Sequence, residues 1–265
     1  MYSQPSASPL DLTYIGHGTV LIEMDGVRLL TDPLLRDRVG PLRRQGSKTH
    51  LDKCRTADAV LISHMHWDHL DPPSLRLLDP ATPLIVPQGA ERILRRHGFR
   101  HVQEIGVGDS TALGAVGLTA TWARHPRSRH PLGPSADCLG FVMRGRFEVY
   151  FAGDTGLFPG MGSLAERLDV ALLPVSGWGP TLTSGHLSPR RAAEALTMLQ
   201  PRLAIPIHWG TYCPLGMGWL RPQFLSQPPY AFAGHAAQLT PEVEVRILAP
   251  GDALHLEGTG FDAGT

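Results

Sequence analysis

Short runs rich in apolar residues open the chain. LDLTYI, TVLIEM and VRLLT predict three strands between Leu10 and Thr31. Asp25-Gly26 separates the second from the third and is a pair that favours a two-residue hairpin turn. Asp32-Pro33 then ends the hairpin and leaves a carboxylate at a strand terminus. The segment Leu34–Arg55 is polar and basic without a period, and reads as loop. A run of four apolar residues, Ala59–Ile62, has the length of a buried strand. It stops abruptly at His64, His66, Asp68 and His69.

Past this cluster, Asp71 and Pro72 form a cap and first-turn pair for a helix. PLIVP (Pro83–Pro87) reads as a strand, and GAERILRRHG as a helix closed by Gly98 in left-handed geometry. Strands follow at His101–Ile105, Ser110–Leu113 and Gly117–Ala123. Leu139–Met143 and Phe147–Phe151 read as a hairpin across Arg144-Gly145-Arg146, running into Gly153-Asp154-Thr155. A helix is expected near Ser163–Leu168, then the strand DVALLPV, a helix capped by Ser188, and the strand RLAIPI ending at His208. Thr211–Tyr230 is irregular; a helix over Tyr230–Gln238, a strand over Glu242–Leu248 and a tail complete the pattern. Strands in runs and hairpins with helices interleaved predict a two-sheet core with outer helices, not a simple alternating parallel sheet. One domain is expected over residues 10–257, with tails at 1–9 and 258–265.

Composition narrows the picture. The 24 basic and 24 acidic side chains cancel, so there is no net field to draw nucleic acid or an anionic membrane. No stretch approaches the length of an apolar membrane span, and the N-terminus lacks the features of a secretory leader. Cys54, Cys138 and Cys213 are odd in number and widely spaced, which argues against a disulfide framework and points to a reducing cytoplasm. The 29 glycines and 24 prolines lie between short apolar runs and mark turns.

The chemistry sits at predicted strand ends. In extended chain His64 and His66 face one way, and Asp68 and His69 come where the chain turns, so the two pairs address neighbouring points. That arrangement suits two metal ions better than one. His125, Asp154 and His208 each follow an apolar strand as well. Seven such ligands suffice for two divalent ions, most naturally zinc, with manganese or iron as alternatives. Asp32 reads either as a carboxylate that orients a ligand imidazole or as a plain turn residue. His17, between two glycines, reads as a backbone-bonded turn residue ahead of a role beside the site. Arg127 and Arg129 are candidates for an anionic substrate group, while Trp209, Cys213, Trp219 and Phe224 read mainly as packing.

TYIGHGTVLIEMDGVRLLTDP, DAVLISHMHWDHLD, FAGDTG, GHLSPRRAAEAL and AIPIHWGT resemble, in order, motifs of the metallo-β-lactamase superfamily. The nearest resemblance is to the branch holding the N-acylphosphatidylethanolamine-hydrolysing phospholipases D and the ascorbate-6-phosphate lactonases. The resemblance implies an α/β (α+β) four-layer αββα sandwich with a dinuclear site at its edge. By motif position, His64, His66 and His125 would hold one ion and Asp68, His69 and His208 the other, with Asp154 bridging. It further implies that Asp68 is catalytic and that His186, in SGHLSP, is catalytic or substrate-binding; Arg129 joins it as a substrate-binding candidate.

The implied activity is hydrolysis of an ester, lactone or phosphodiester of a small or lipid-like substrate by a metal-bridging hydroxide. The alternatives are a non-catalytic metal-binding or sensing domain and, below it, a nuclease. No nucleic-acid partner is expected, and a homo-oligomer stays open.

Overall fold

The computed structural model describes residues 9–46, 49–127, 135–177, 184–214 and 223–257. Within them the period-two pattern sorts side chains onto two buried faces. In β2 (Thr19–Met24), Val20, Ile22 and Met24 enter the core between two sheets, whereas Leu21 faces a second cluster on the outer side. In β6 (Ala59–Leu61) Ala59 and Leu61 go inward and Val60 outward. A strand covered on both faces loses its polar positions, which is why these runs are almost wholly apolar.

The first sheet has the order β17 (Ala253–Leu256), β1 (Leu10–Gly16), β2, β3 (Val27–Thr31), β6, β7 (Leu84–Pro87), β8 (Val102–Ile105). The second runs β16 (Glu244–Val245), β14 (Leu203–Ile207), β13 (Val170–Pro174), β12 (Glu148–Phe151), β11 (Leu139–Arg144), β10 (Val116–Trp122), β9 (Ser110–Leu113). Helices α1 (Leu51–Cys54), α2 (Pro72–Leu75) and α3 (Glu91–Arg96) cover the first sheet through Cys54, Leu75 and Leu94. Helices α4 (Pro189–Leu199) and α5 (Gln223–Leu239) cover the second through Ala193, Leu196 and Phe232. The result is the αββα sandwich expected from the sequence.

Strand direction decides where the site lies. β3, β6, β7 and β8 pair in parallel, as do β12, β13 and β14; β1 and β10 share those directions because each is two antiparallel steps away. The carboxyl ends of β1, β3 and β6 thus share one edge of the first sheet and those of β10, β12 and β14 one edge of the second, and the Leu139 amide, donating to the Ser63 carbonyl at 2.8 Å, joins the two edges at one rim. At the opposite end Asp25 and Gly26, both with positive φ, make the predicted turn, and Asp25 Oδ2 accepts from Arg146 N of the other sheet's hairpin at 2.6 Å.

Several local expectations change. Leu34–Arg55 is not all loop: β4 (Arg38–Val39) and β5 (Leu42–Arg44) join β15 (Tyr212–Pro214) in a small sheet, and α1 follows. Ser163–Leu168 is not a helix; only a 3-10 turn forms, over Pro159–Ser163, since so short a segment does not recover the cost of nucleation. α5 begins well before Tyr230 and contains Pro228 and Pro229. The strand expected over Glu242–Leu248 shrinks to two residues, and β17 adds an edge beside β1 where only a tail was foreseen.

Gly153 sets the spacing between the two sheets at the rim. Its φ is +58°, and a Cβ there would lie 2.7 Å from Ser63 Cβ and 2.8 Å from the Leu139 carbonyl oxygen. Gly153→Ala is expected to cost at least the roughly 1–2 kcal/mol of a left-handed L-residue. Urea unfolding checks this; unchanged stability would contradict the close approach.

Candidate metal centre

The rim collects its side chains from both sheets. β1 delivers His17, β3 Asp32, β6 the run Ser63–His69, β10 His125, β12 Asp154 and β14 His208, while the turn before α4 brings His186. Asp32, His64, Asp68, His69, His125, Asp154 and His208 are all buried. His17, Asp32 and His208 have positive φ, 59°, 34° and 63°, an expensive conformation that collects at functional sites.

Two groups of donors stand side by side. In the first, the ligand atoms of His64, His66 and His125 lie within 4.8 Å of one another, with His66 Nδ1 and His125 Nε2 at 2.9 Å. The second gathers Asp68, His69, His208 and His17 within the same limit. Asp154 lies between them. Its Oδ2 is 3.5 Å from His69 Nε2 and 3.7 Å from His186 Nε2, its Oδ1 is 3.4 Å from His208 Nε2, and it groups with His125.

Neighbouring groups fix the imidazoles. Asp32 accepts from the Ser63 amide at 2.7 Å and the Ser63 hydroxyl at 2.5 Å, and it takes His69 Nδ1 at 2.7 Å. Ser63 Oγ in turn meets His64 Nδ1 at 2.9 Å. One carboxylate thereby orients a histidine of each group, directly in one case and through a serine in the other. His125 Nδ1 donates to the Gly185 carbonyl at 2.8 Å, which turns Nε2 toward the cluster.

His64 Nε2, His69 Nε2 and Asp154 Oδ1 are buried and make no hydrogen bond. Each such group costs about 1–3 kcal/mol unless something satisfies it. All three belong to the converging set, and nitrogen and oxygen donors of this kind suit zinc, manganese or iron. The residues therefore fit divalent cations.

Charge leads the same way. Burial works against ionisation of Asp68, but the charge of His69 and the His17 hydrogen bond outweigh it and hold the carboxyl well below its ordinary value. For Asp154 burial is likewise outweighed, by the imidazoles of His208 and His69. Burial also opposes charge on His69, yet the carboxylates of Asp154, Asp32 and Asp68 lift it well above the usual histidine range. Burial pulls His125 down to about 4 and His208 down to about 3. Three buried carboxylates favour positive charge beside them.

Residues 27–209 match the model of the beta-lactamase superfamily domain. The chain belongs to the metallo-β-lactamase superfamily. It is 32% identical over 241 residues to N-acyl-phosphatidylethanolamine-hydrolyzing phospholipase D 1 of Caenorhabditis elegans, covering 80% of this chain and 66% of that protein. It is 30% identical over 251 residues to a UPF0173 metal-dependent hydrolase of Caldivirga maquilingensis, covering 92% of this chain and 97% of that one. Among solved structures, Igni18, a metallo hydrolase of Ignicoccus hospitalis, superposes with a TM-score of 0.72 at 24% identity, covering 94% of this chain and 99% of that chain. Relatives that the chain resembles at 30% identity include proteins described as UPF0173 metal-dependent hydrolases. It spans just under two thirds of the length of the phospholipase relative.

All seven expected ligands meet at the rim, with Asp32 behind them and His186 at their edge. Sequence reasoning missed Ser63 altogether and ranked His17 as a turn residue. The side chain of His17 is in fact buried in the second group. The glycines beside it were the available signal: a Cβ on Gly16 would strike Thr211 and one on Gly18 would press on His69. Arg127 pairs with Asp137, while Arg129 and Trp219 lie outside the described residues. Trp209 packs against Tyr14, and Cys54, Cys138 and Cys213 are buried free thiols apart from the donor groups, with burial pushing Cys54 and Cys138 up to about 12. No helix among the described residues is long and apolar enough to cross a membrane.

The histidine shifts predict how the metal-free protein responds to acid. The unfolded chain takes up protons near pH 6.5, whereas folded His125 and His208 resist to about 4 and 3. The contribution of these two imidazoles to stability is therefore full above about pH 6.5 and falls as the pH drops toward 4. The melting temperature of chelator-treated protein should be lower at pH 5 than at pH 7.5; equal values would contradict the burial of these imidazoles.

Proposed function

We propose that the protein is a dinuclear hydrolase that cleaves an ester, lactone or phosphodiester of a small or lipid-like substrate. In this reading His64, His66 and His125 hold one divalent ion, Asp68, His69 and His208 hold the other, and Asp154 serves both. The observation that carries it is the position of Asp154, whose two oxygens address His69 and His208 while it groups with His125. A bound ion pair supplies hydroxide at neutral pH, by lowering the pKa of water from about 16 to about 7, and polarises a carbonyl or phosphoryl oxygen.

The chain's own residues do the rest. Asp68 ligates with one part of its carboxylate and, beside the reacting centre, accepts a hydrogen bond that orients the attacking group. Asp32 and Ser63 keep the free nitrogens of His64 and His69 turned into the site. The His186 side chain is 20% exposed, with its ring edge-on to that of His125 at 4.6 Å. It faces the side from which substrate arrives and donates to the oxygen under attack. The name of the phospholipase relative supports the phosphodiester member of the substrate class.

His66→Ala and Asp68→Ala are expected to lower kcat/KM by more than the about 10–100-fold that loss of a supporting residue costs. A panel of esters, lactones and phosphodiesters with zinc or manganese measures it; undiminished turnover in either variant, or in metal-depleted protein, would refute the assignment. His186→Gln should lower kcat/KM about 100-fold or more while metal content stays at the wild-type level. Unchanged activity would return His186 to a helix-entry role.

A further inference from the structure

His17 is tied to both halves of the second donor group. Its Nε2 lies 3.2 Å from Asp68 Oδ2, and its ring lies over that of His208 with centroids 3.8 Å apart. Its carbonyl accepts from the His208 amide at 2.9 Å, and its own amide donates to Thr211 Oγ1, also at 2.9 Å. Thr211 closes the circuit by donating to the Trp209 carbonyl at 3.1 Å. Tyr212 meets the His17 ring edge-on at 5.7 Å. A residue at the end of β1 thus grips one donor that comes from the first sheet and another that comes from the second.

We propose that His17 is a positioning residue for the second metal ion, holding Asp68 through its side chain and the His208 turn through its backbone. An ionised carboxylate only accepts hydrogen bonds, so Nε2 carries the proton in this contact and is not itself a ligand. Asp68 is the donor that most needs such a hold, because the ion's histidines are already fixed: His69 by Asp32 and His208 by its backbone. The cost of the arrangement is visible in the backbone. Both His17 and His208 are left-handed, and the flanking glycines are closely packed: a Cβ on Gly16 would strike Thr211, and one on Gly18 would press on His69 Nδ1 at 3.1 Å.

The proposal rests on the dinuclear reading, and the test separates the two. Zinc is titrated into metal-free wild type, His17→Asn and His17→Gln by calorimetry, and bound ions are counted after dialysis. Asparagine tolerates the left-handed backbone but is too short to reach Asp68; glutamine places an amide donor near the position of Nε2. Wild type should bind two equivalents. His17→Asn should bind the first normally and the second about 10–100-fold more weakly, with His17→Gln recovering part of the loss.

Two equivalents bound by His17→Asn as tightly as by wild type would overturn the role of His17, as would equal weakening of both. Fewer than two in wild type would overturn the dinuclear reading, and this proposal with it. Should His17→Asn fail to fold, His17→Gln decides. With the first equivalent unchanged, a second equivalent held more weakly than in wild type supports the role, and one held as tightly as in wild type overturns it.

Discussion

The constraint on which the structure depends is the burial of Asp154. A carboxylate taken out of water is costly unless opposite charge and hydrogen bonds surround it. Here its oxygens face His69, His186 and His208 at 3.4–3.7 Å, and Asp32 and Asp68 stand close behind. So much buried negative charge is tolerable only beside a cation. The sandwich meets this by directing strands of both sheets toward one rim, so that residues far apart in sequence arrive as neighbours. Gly153 permits the approach by letting β12 end against Ser63.

The support behind the donors is as ordered as the donors. Asp32 touches His69 directly and His64 through Ser63, so a single side chain sets the tautomers on both sides of Asp154. His17 performs the matching task for Asp68 and the His208 turn. Asp32, Ser63 and His17 each follow a strand end, and Asp32 and His17, like the donor His208, have positive φ. The helices and the inter-sheet core make that possible by holding the strand ends rigidly; the site borrows its precision from the scaffold.

What could be read in advance follows the range of the interactions. Local signals were legible: Asp25-Gly26 for the turn, Asp71 and Ser188 as caps that accept from Ser74 and Arg191, and the HMHWDH run at the end of β6. β4, β5 and β15 were not, because each is two or three residues long and exists through partners such as Cys213 beside Arg43. β17 likewise depends on β1 at the other end of the chain. α5 was cut short because Pro228 and Pro229 break the pattern by which helices are recognised. His17 looked like a turn because it is one; only the fold reveals that the turn points at Asp68. Arg127 looked available for substrate until the fold gave it Asp137.

In the proposed dinuclear centre, one ion sits on either side of Asp154. Anomalous diffraction from crystals of zinc-loaded protein measures this directly. The account predicts two peaks, one against His64, His66 and His125 and one against Asp68, His69 and His208, with Asp154 reaching both. A single peak, or ions bound away from these side chains, would contradict it.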